Sequence, residues 1–155
     1  MPASTPGTHS PGAARGVAFV INRGGREPLT TVREVMTGEL VVVEPSTNLI
    51  EAARAMSAAH AGSVLVMRGG SLAGIFTERD IMRALSDSPS ADAGRVSHVE
   101  RWMTPDPTTI GPEATAGEAL DVMLSGGFRH LPVVDEGVVV GVVSMRDLVP
   151  AIAKP

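Results

Sequence analysis

The fold of this chain is decided by the stretch Gly141-Val142-Val143-Ser144-Met145-Arg146-Asp147, because a matching stretch stands earlier, at Gly74-Ile75-Phe76-Thr77-Glu78-Arg79-Asp80. The two stretches lie 67 residues apart and align without a gap. Each consists of glycine, two apolar residues, a hydroxyl residue, two further residues and aspartate, and an apolar run with helical spacing follows. The pattern predicts a strand that leads directly into a helix, with Thr77 or Ser144 at the junction.

Two interpretations of this junction stay open. A hydroxyl residue followed three residues later by an acid is a capping box, whose side chains bind the free N–H groups of a helix start. The acid here is the short Asp80 or Asp147 rather than the usual Glu or Gln. A helix start of this kind could also bind a nucleotide, with phosphate at the positive end of the helix and ribose hydroxyls on the carboxylate. The two interpretations are compatible, since one carboxylate oxygen can cap while the other binds.

The same offset relates most of the chain from Thr30 onward, and a duplication without insertion is its simplest explanation. We therefore expect two copies of one unit. Identical residues at matching positions include Met36-Thr37 with Met103-Thr104, Pro45 with Pro112, Glu51-Ala52 with Glu118-Ala119, Met56 with Met123 and Gly70 with Gly137.

Each unit has the predicted order strand, helix, strand, strand, helix. Capping boxes at Asn48 and Thr115 start the first helix of each unit, and glycine turns join the two strands of a hairpin. Units of this size bury too little surface to be stable alone, so we expect an α+β fold in which two βαββα units pack sheet to sheet with pseudo-two-fold symmetry. The expected boundaries are a flexible tail at 1–27, a first unit at 28–86, a linker at 87–95 and a second unit at 96–155.

Composition limits the classes of function. The 43% hydrophobic content supports a globular fold, and the formal net charge of −4 argues against nucleic-acid binding. Cysteine is absent, so disulfides, thiolate metal sites and cysteine nucleophiles are not expected. His60 and His98 have no partners at metal-ligand spacing, and we expect no metal. Neither a membrane span nor a signal peptide is recognisable, so we expect a cytoplasmic protein.

The duplicated pattern resembles the CBS-domain pair, or Bateman module, over roughly Thr30 to Ala153. The resemblance rests on the Met-Thr pair near the start of each unit, on the stretch Phe128-Arg129-His130-Leu131-Pro132-Val133-Val134-Asp135, and on the two Gly-x-x-Ser/Thr-x-x-Asp junctions. It implies that two βαββα units pair through their sheets. It also implies that AMP, ADP, ATP or S-adenosylmethionine binds in clefts between them.

The resemblance implies roles for individual residues. Asp80 and Asp147 would hold ribose hydroxyls, and Thr77 and Ser144 would contact phosphate or ribose. The other residues implied in binding are Arg79 and Arg146, each beside its carboxylate, and Leu40, Val41, Pro107 and Thr108 around adenine. The two arginines are equally well explained as solvated side chains at a helix start.

The two units differ in basic residues. Arg129 and His130 stand where phosphate-binding members of the family often carry basic side chains, whereas the matching positions in the first unit are Gly62 and Ser63. We therefore expect phosphate binding to be one-sided. An arginine can also reach across to a site whose carboxylate belongs to the other unit, so the basic pair is assigned to phosphate but not to a particular aspartate.

The expected function is a non-catalytic regulatory module that binds an adenosine-containing ligand and signals to a separate, unidentified protein partner. A symmetric homodimer is the expected assembly. The alternative is a structural or interaction homodimer with degenerate ligand sites, which the weak first unit favours and the retained Asp80 and Asp147 oppose. A small hydrolase lacks support, because Ser144 beside Asp147 has no positioned histidine.

Overall fold

The computed structural model describes residues 19–22 and 25–153 and has the predicted α+β fold of two βαββα units. The strands are β1 (Phe19–Asn22), β2 (Gly25–Pro28), β3 (Val42–Val43), β4 (Ser63–Arg68), β5 (Ser71–Thr77), β6 (Thr104–Pro105), β7 (His130–Asp135) and β8 (Val138–Ser144). The helices are α1 (Val32–Val35), α2 (Leu49–Ala59), α3 (Glu78–Asp87), α4 (Ala91–Val96), α5 (Val99–Trp102), α6 (Ala116–Gly126) and α7 (Met145–Ile152). None of these helices is long and apolar enough to cross a membrane.

Each unit is built on an antiparallel hairpin, β4–β5 in the first and β7–β8 in the second. Both turns need two consecutive residues with positive φ, which are Gly69 and Gly70 in one turn and Glu136 and Gly137 in the other. Such turns match the right-handed twist of the strands, and glycine adopts them without steric cost. The turn chemistry therefore fixes both hairpins locally.

Side-chain caps start the first helix of each unit, as the sequence predicts. The Glu51 N–H donates to Asn48 Oδ1 at 2.9 Å at the start of α2. At the start of α6, the Glu118 N–H donates to Thr115 Oγ1 at 3.1 Å, and the Thr115 N–H donates back to Glu118 Oε2 at 3.0 Å. These bonds satisfy backbone donors that a helix start leaves free.

The Met-Thr segment of each unit packs on the other unit. Strand β6 pairs antiparallel with β5, and Thr37 forms an antiparallel bridge with Val142 in β8. The helical turns α1 and α5, which come just before these segments in the chain, also pack on the other unit. Val32 of α1 lies in the core of the second unit, and Val99 and Trp102 of α5 lie in the core of the first. The two hydrophobic cores are therefore each completed by residues from the other half of the chain.

This exchange explains the glycine of the duplicated motif. A Cβ on Gly74 would lie 2.8 Å from the Thr104 carbonyl oxygen, and one on Gly141 would lie 2.9 Å from the Thr37 carbonyl oxygen. Real Cβ atoms do not approach so closely, and a packed interior cannot easily shift to make room. Glycine is thus required where the crossing segment passes over the hairpin.

Two segments differ from the sequence analysis. Helix α4 lies in the predicted linker, and it starts where the Ala93 N–H donates to Ser90 Oγ at 3.1 Å. Strand β1 and all of β2 but Pro28 lie within the predicted tail at 1–27, and the two strands pair antiparallel. Residues 1–18 lie outside the described residues, so the prediction of a flexible tail stays a prediction there.

Candidate ligand-binding clefts

The two strand-to-helix junctions each border a cleft, and matching residues line both. The cleft at Asp80 has a volume of about 490 Å³ and is called the Asp80 cleft. It is lined by the first-unit junction, by the loop after β6 and by residues 126–130 of the second unit. The cleft at Asp147, the Asp147 cleft, has about 270 Å³ and is lined by Ser144, Arg146, Asp147 and first-unit residues that include 60–63. Each cleft is therefore shared between the two units.

The Asp80 carboxylate accepts three hydrogen bonds within the protein. The Thr77 N–H and hydroxyl donate to Oδ2 at 2.9 and 3.2 Å. Arg83 Nη1 donates to Oδ1 at 2.9 Å. Burial raises the pKa of Asp80, and the hydrogen bonds from Thr77 and the charge of Arg83 oppose that rise. Both carboxylate oxygens already have partners within the protein.

The Asp147 carboxylate has the same cap but not the arginine. The Ser144 N–H and hydroxyl donate to Asp147 Oδ2 at 2.9 and 2.8 Å, and the Asp147 N–H donates to Ser144 Oγ at 3.3 Å. The residue that matches Arg83 is Pro150. Among residues 25–153, no side chain donates a hydrogen bond to Asp147 Oδ1. One oxygen caps the helix and the other stays available, which is the compatible arrangement that the sequence left open.

The basic pair of the second unit lines the cleft of the first-unit carboxylate. Arg129 and His130 both border the Asp80 cleft, together with Thr77 and Arg79. Their counterparts, residues 62–63, border the Asp147 cleft. The packing of the units therefore places the basic pair beside Asp80, and both residues also line a neighbouring groove with Ser144 and Arg146.

His130 borders both clefts. Its Nε2 would lie 3.1 Å from a Cβ on Gly62, so the imidazole packs closely against the first-unit backbone. Burial lowers the pKa of His130, the carboxylates of Glu78 and Asp147 oppose this, and the positive charges of neighbouring arginines reinforce it. The side chain is thus a largely neutral imidazole at neutral pH, placed between the two clefts.

The four residues expected to contact adenine lie in three different places, which are the two clefts and a separate groove. Pro107 and Thr108 line the Asp80 cleft, and Val41 lines the Asp147 cleft. Leu40 does not line either cleft, because its exposed side chain borders a separate groove with Val42.

Sequence analysis missed four charged residues in the clefts, which are Glu39, Glu78, Arg83 and Asp106. Glu39 and Asp106 occupy matching positions in the Asp147 and Asp80 clefts. A signal for this pair was present, because both are acids at the same distance after the Met-Thr pair. Arg83 had no such signal, since its counterpart is a proline.

The CBS domain family matches the chain twice, at residues 32–87 and 96–154. The chain belongs to the CBS-domain family. CBS-domain proteins are in general regulatory modules rather than catalytic ones. In the described part of this CBS pair, no three His, Asp or Glu side chains are grouped so that they could hold a metal ion.

Relatives of known sequence and structure support the family assignment. An uncharacterized 17.7 kDa protein of Acidianus ambivalens is 38% identical over 129 residues, which are 79% of this chain and 73% of the relative. The chain covers only 24% of the length of two CBS-domain-containing proteins of Arabidopsis thaliana, at 34% identity. The crystal structure of a CBS-domain protein from Agrobacterium tumefaciens matches with a TM-score of 0.74 and 30% identity, over 80% of this chain and 94% of the other. CBSX2, solved in complex with AMP, matches with a TM-score of 0.66 and 26% identity, over 79% and 96% of the two chains.

Proposed function

We propose that this CBS pair is a regulatory module that binds an adenosine-containing ligand in the Asp80 and Asp147 clefts and passes the binding signal to a protein partner. The observation that carries the proposal is the repeated arrangement of a carboxylate at a helix start with a cleft wall from the other unit. The AMP complex of CBSX2 supports this ligand class. In the proposal, ribose hydroxyls bind the carboxylates and phosphate binds the basic side chains.

The Asp147 carboxylate suits a ribose. Its Oδ2 is held by the cap from Ser144, which fixes the orientation of the group, while Oδ1 is left to accept a hydroxyl. A hydrogen bond to an ionised acceptor is stronger than one between neutral groups. The fixed carboxylate therefore binds a hydroxyl without first losing side-chain freedom.

Phosphate binding favours the Asp80 cleft. Among the described residues, this cleft has three arginine side chains along its wall, whereas the Asp147 cleft has one, at Arg146. The three are Arg79, Arg83 and Arg129. Guanidinium groups bind phosphate through paired hydrogen bonds, so a nucleotide is expected to prefer the cleft with more guanidinium groups. AMP is the first candidate ligand, and ADP, ATP and S-adenosylmethionine are the others.

The helices that start in the clefts also carry exposed apolar side chains. Met82 on α3 and Val149 on α7 occupy matching positions and are 73% and 49% exposed. Leu85 and Ile152 match in the same way and are also exposed. A surface with this internal two-fold repeat suits a second copy of the chain, because a two-fold interface is self-complementary. We propose a homodimer through α3 and α7, which would connect ligand binding to assembly.

A thermal-shift screen with AMP, ADP, ATP, S-adenosylmethionine and NAD tests the ligand class. A ligand that binds only the folded chain stabilises it by about 2.7 kcal/mol at a hundredfold excess over Kd. At least one adenosine ligand should raise Tm, and the rise should shrink in an Asp80→Asn, Asp147→Asn double variant, which keeps oxygen acceptors for the two caps. A flat response of the wild type to all five ligands would favour the alternative, a structural homodimer with degenerate sites.

A further inference from the structure

Arg83 occupies the carboxylate oxygen that a ribose would use in the Asp80 cleft. Its Nη1 donates to Asp80 Oδ1 at 2.9 Å, while Thr77 engages the other oxygen. The Asp80 side chain is 7% exposed and that of Arg83 is 52% exposed. The guanidinium carbon also lies 5.9 Å from the centre of the Trp102 ring, so Arg83 connects α3 with α5 at the edge of the cleft.

The second unit has no equivalent. Pro150 stands in the place of Arg83, and no side chain in the described part of the chain donates to Asp147 Oδ1. The two clefts therefore differ at the atom that a ribose hydroxyl would reach first. This difference is independent of the basic pair at Arg129 and His130, because Arg83 belongs to the same helix as the carboxylate it covers.

We propose that Arg83 is a displaceable latch that makes the Asp80 cleft select phosphorylated nucleosides over uncharged ones. In this proposal a ribose hydroxyl binds Asp80 Oδ1 by replacing the guanidinium there. A phosphate on the same ligand offers the released Arg83 a new anionic partner. The Asp147 cleft has no latch, and it accepts the uncharged nucleoside directly. This inference rests on the proposed function and adds the selectivity of one of its two clefts.

The energetics favour this selectivity. A buried carboxylate that exchanges a guanidinium for a neutral hydroxyl keeps a hydrogen bond but loses its ion pair, so its charge is left uncompensated. Adenosine offers nothing in return. With AMP, Arg83 is half exposed and free to turn toward the phosphate, where Arg79 and Arg129 already line the wall. With AMP one ion pair of Arg83 replaces another, whereas with adenosine the ion pair is lost.

The competing interpretation is that Arg83 is only a helix-surface partner of Asp80, three residues along α3. In that case its removal would lower the free energy of unfolding but would not change which ligand binds. The experiment must therefore measure ligand preference in each cleft separately.

The experiment is a titration of the ¹⁵N-labelled full chain with adenosine and with AMP, followed through two backbone amides. The Thr77 and Ser144 N–H groups donate to the carboxylates of the two clefts, so each reports on its own cleft. In the wild type, adenosine should shift the Ser144 signal at lower concentration than the Thr77 signal. AMP should reduce or reverse that difference.

Arg83→Ala is the test variant and Arg79→Ala is the matched control. R83A should tighten adenosine binding at Thr77 by about fivefold to tenfold and weaken the preference for AMP there, while the Ser144 signal keeps its wild-type affinities. R79A removes the same charge from the same cleft without touching Asp80, and it should weaken AMP without improving adenosine. Arg83→Gln, which removes the charge but keeps a polar unbranched side chain, replaces R83A if the alanine variant melts early.

Each outcome decides the matter. An unchanged ratio of AMP to adenosine affinity at Thr77 in a folded Arg83 variant would overturn the latch and leave the proposed function intact. Improved adenosine binding in both R83A and R79A would also overturn it, because general charge would then be the cause. If neither ligand shifts either amide in the wild type or in R83A, the latch is overturned, whereas the proposed function fails only if ADP, ATP and S-adenosylmethionine also leave Tm unchanged.

Discussion

At the residue scale, Asp80 and Asp147 occupy matching positions but differ in the hydrogen bonding of their Oδ1 atoms. Both cap a helix through Oδ2, yet Oδ1 is bonded to Arg83 in one case and lacks a donor from residues 25–153 in the other. The capping-box spacing predicted both carboxylates, because it acts within one helical turn. It could not predict the arginine, whose position matches Pro150 in the duplicate.

Asp147→Ala should weaken binding of an adenosine ligand more than it destabilises the fold. Loss of hydrogen bonds to a charged acceptor costs about 1.5–3 kcal/mol of binding free energy. Loss of a helix cap costs about 1 kcal/mol of unfolding free energy. Calorimetric titration and a urea melt on the same variant measure both quantities. If affinity is unchanged while stability falls, Asp147 serves only as a cap.

Arg129→Ala should weaken AMP in the Asp80 cleft and leave adenosine nearly unchanged. A charged contact to phosphate is worth about 1.5–3 kcal/mol, or at least about tenfold in affinity. Calorimetric titration of both ligands tests this, with Arg54→Ala, an arginine on α2 that lines neither cleft, as the control. Equal losses for AMP and adenosine would rule out a phosphate contact for Arg129.

His130 should make the stability of the fold depend on pH. Burial lowers its pKa from the ordinary value of 6.5, although Glu78 and Asp147 oppose the shift and Arg129 and Arg146 reinforce it. The unfolded chain therefore binds the proton more readily than the folded chain. The contribution of the neutral imidazole is fully present above pH 6.5 and is lost as pH falls through that value toward the lower folded pKa.

Urea melts of the wild type and of His130→Asn across this pH range measure the effect. The difference between their unfolding free energies should shift against the wild type as pH falls below 6.5, since asparagine does not titrate. Parallel pH profiles for the two proteins would show that burial of His130 carries no such linkage.

At the element scale, the sequence predicted what local chemistry decides. The starts of α2 and α6 and both hairpins follow from caps and turns within a few residues. The pairing of Thr37 with Val142 joins segments far apart in the chain, and no local pattern signals it. The segment that contains α4 was predicted as a linker because Pro89 and several Ser, Ala and Asp residues lie there, yet α4 buries Gly94 against the end of α3.

Gly74→Ala should destabilise the protein through the segment that crosses β5. The added methyl would meet the Thr104 carbonyl oxygen and the side chain of Met103, and such overpacking costs about 1–3 kcal/mol of unfolding free energy. Gly111→Ala is the matched control, because its Cβ would meet nothing within 4 Å. Urea melts of both variants decide the matter, and equal midpoints would show that the crossing segment moves aside without cost.

At the scale of the whole molecule, the duplication predicted the two units and their pseudo-symmetry. It did not predict that each core and each cleft contains residues from both halves of the chain. Corresponding residues of the two units line the two clefts from opposite sides, so each cleft contains a junction from one unit and a wall from the other. The spacing of residues in the sequence shows which positions of the two units correspond. Only the packing of the units shows that Arg129 lines the Asp80 cleft.

The exposed faces of α3 and α7 lead to a prediction about assembly. A Met82→Lys, Val149→Lys double variant should be a folded monomer under conditions in which the wild type is a dimer, because four lysines would have to be buried in one two-fold interface. Val96→Lys on α4 is the control, since Val96 is also exposed but lies outside this face, and it should stay dimeric. Sedimentation of the three proteins gives the answer, and a double variant that remains dimeric would place the interface elsewhere.

The exchange of Met-Thr segments sets the order of events during synthesis on the ribosome. The first unit cannot complete its core when its own last helix emerges, because Val99 and Trp102 have yet to follow. Val142, the bridge partner of Thr37, emerges later still because it lies near the end of the chain. Most of the chain must therefore leave the ribosome before either half closes, and long-range contacts of this kind make folding slow. Each core thus waits for residues of the other half of the chain, and the second core, which takes Val32 from the first half, is the last to close.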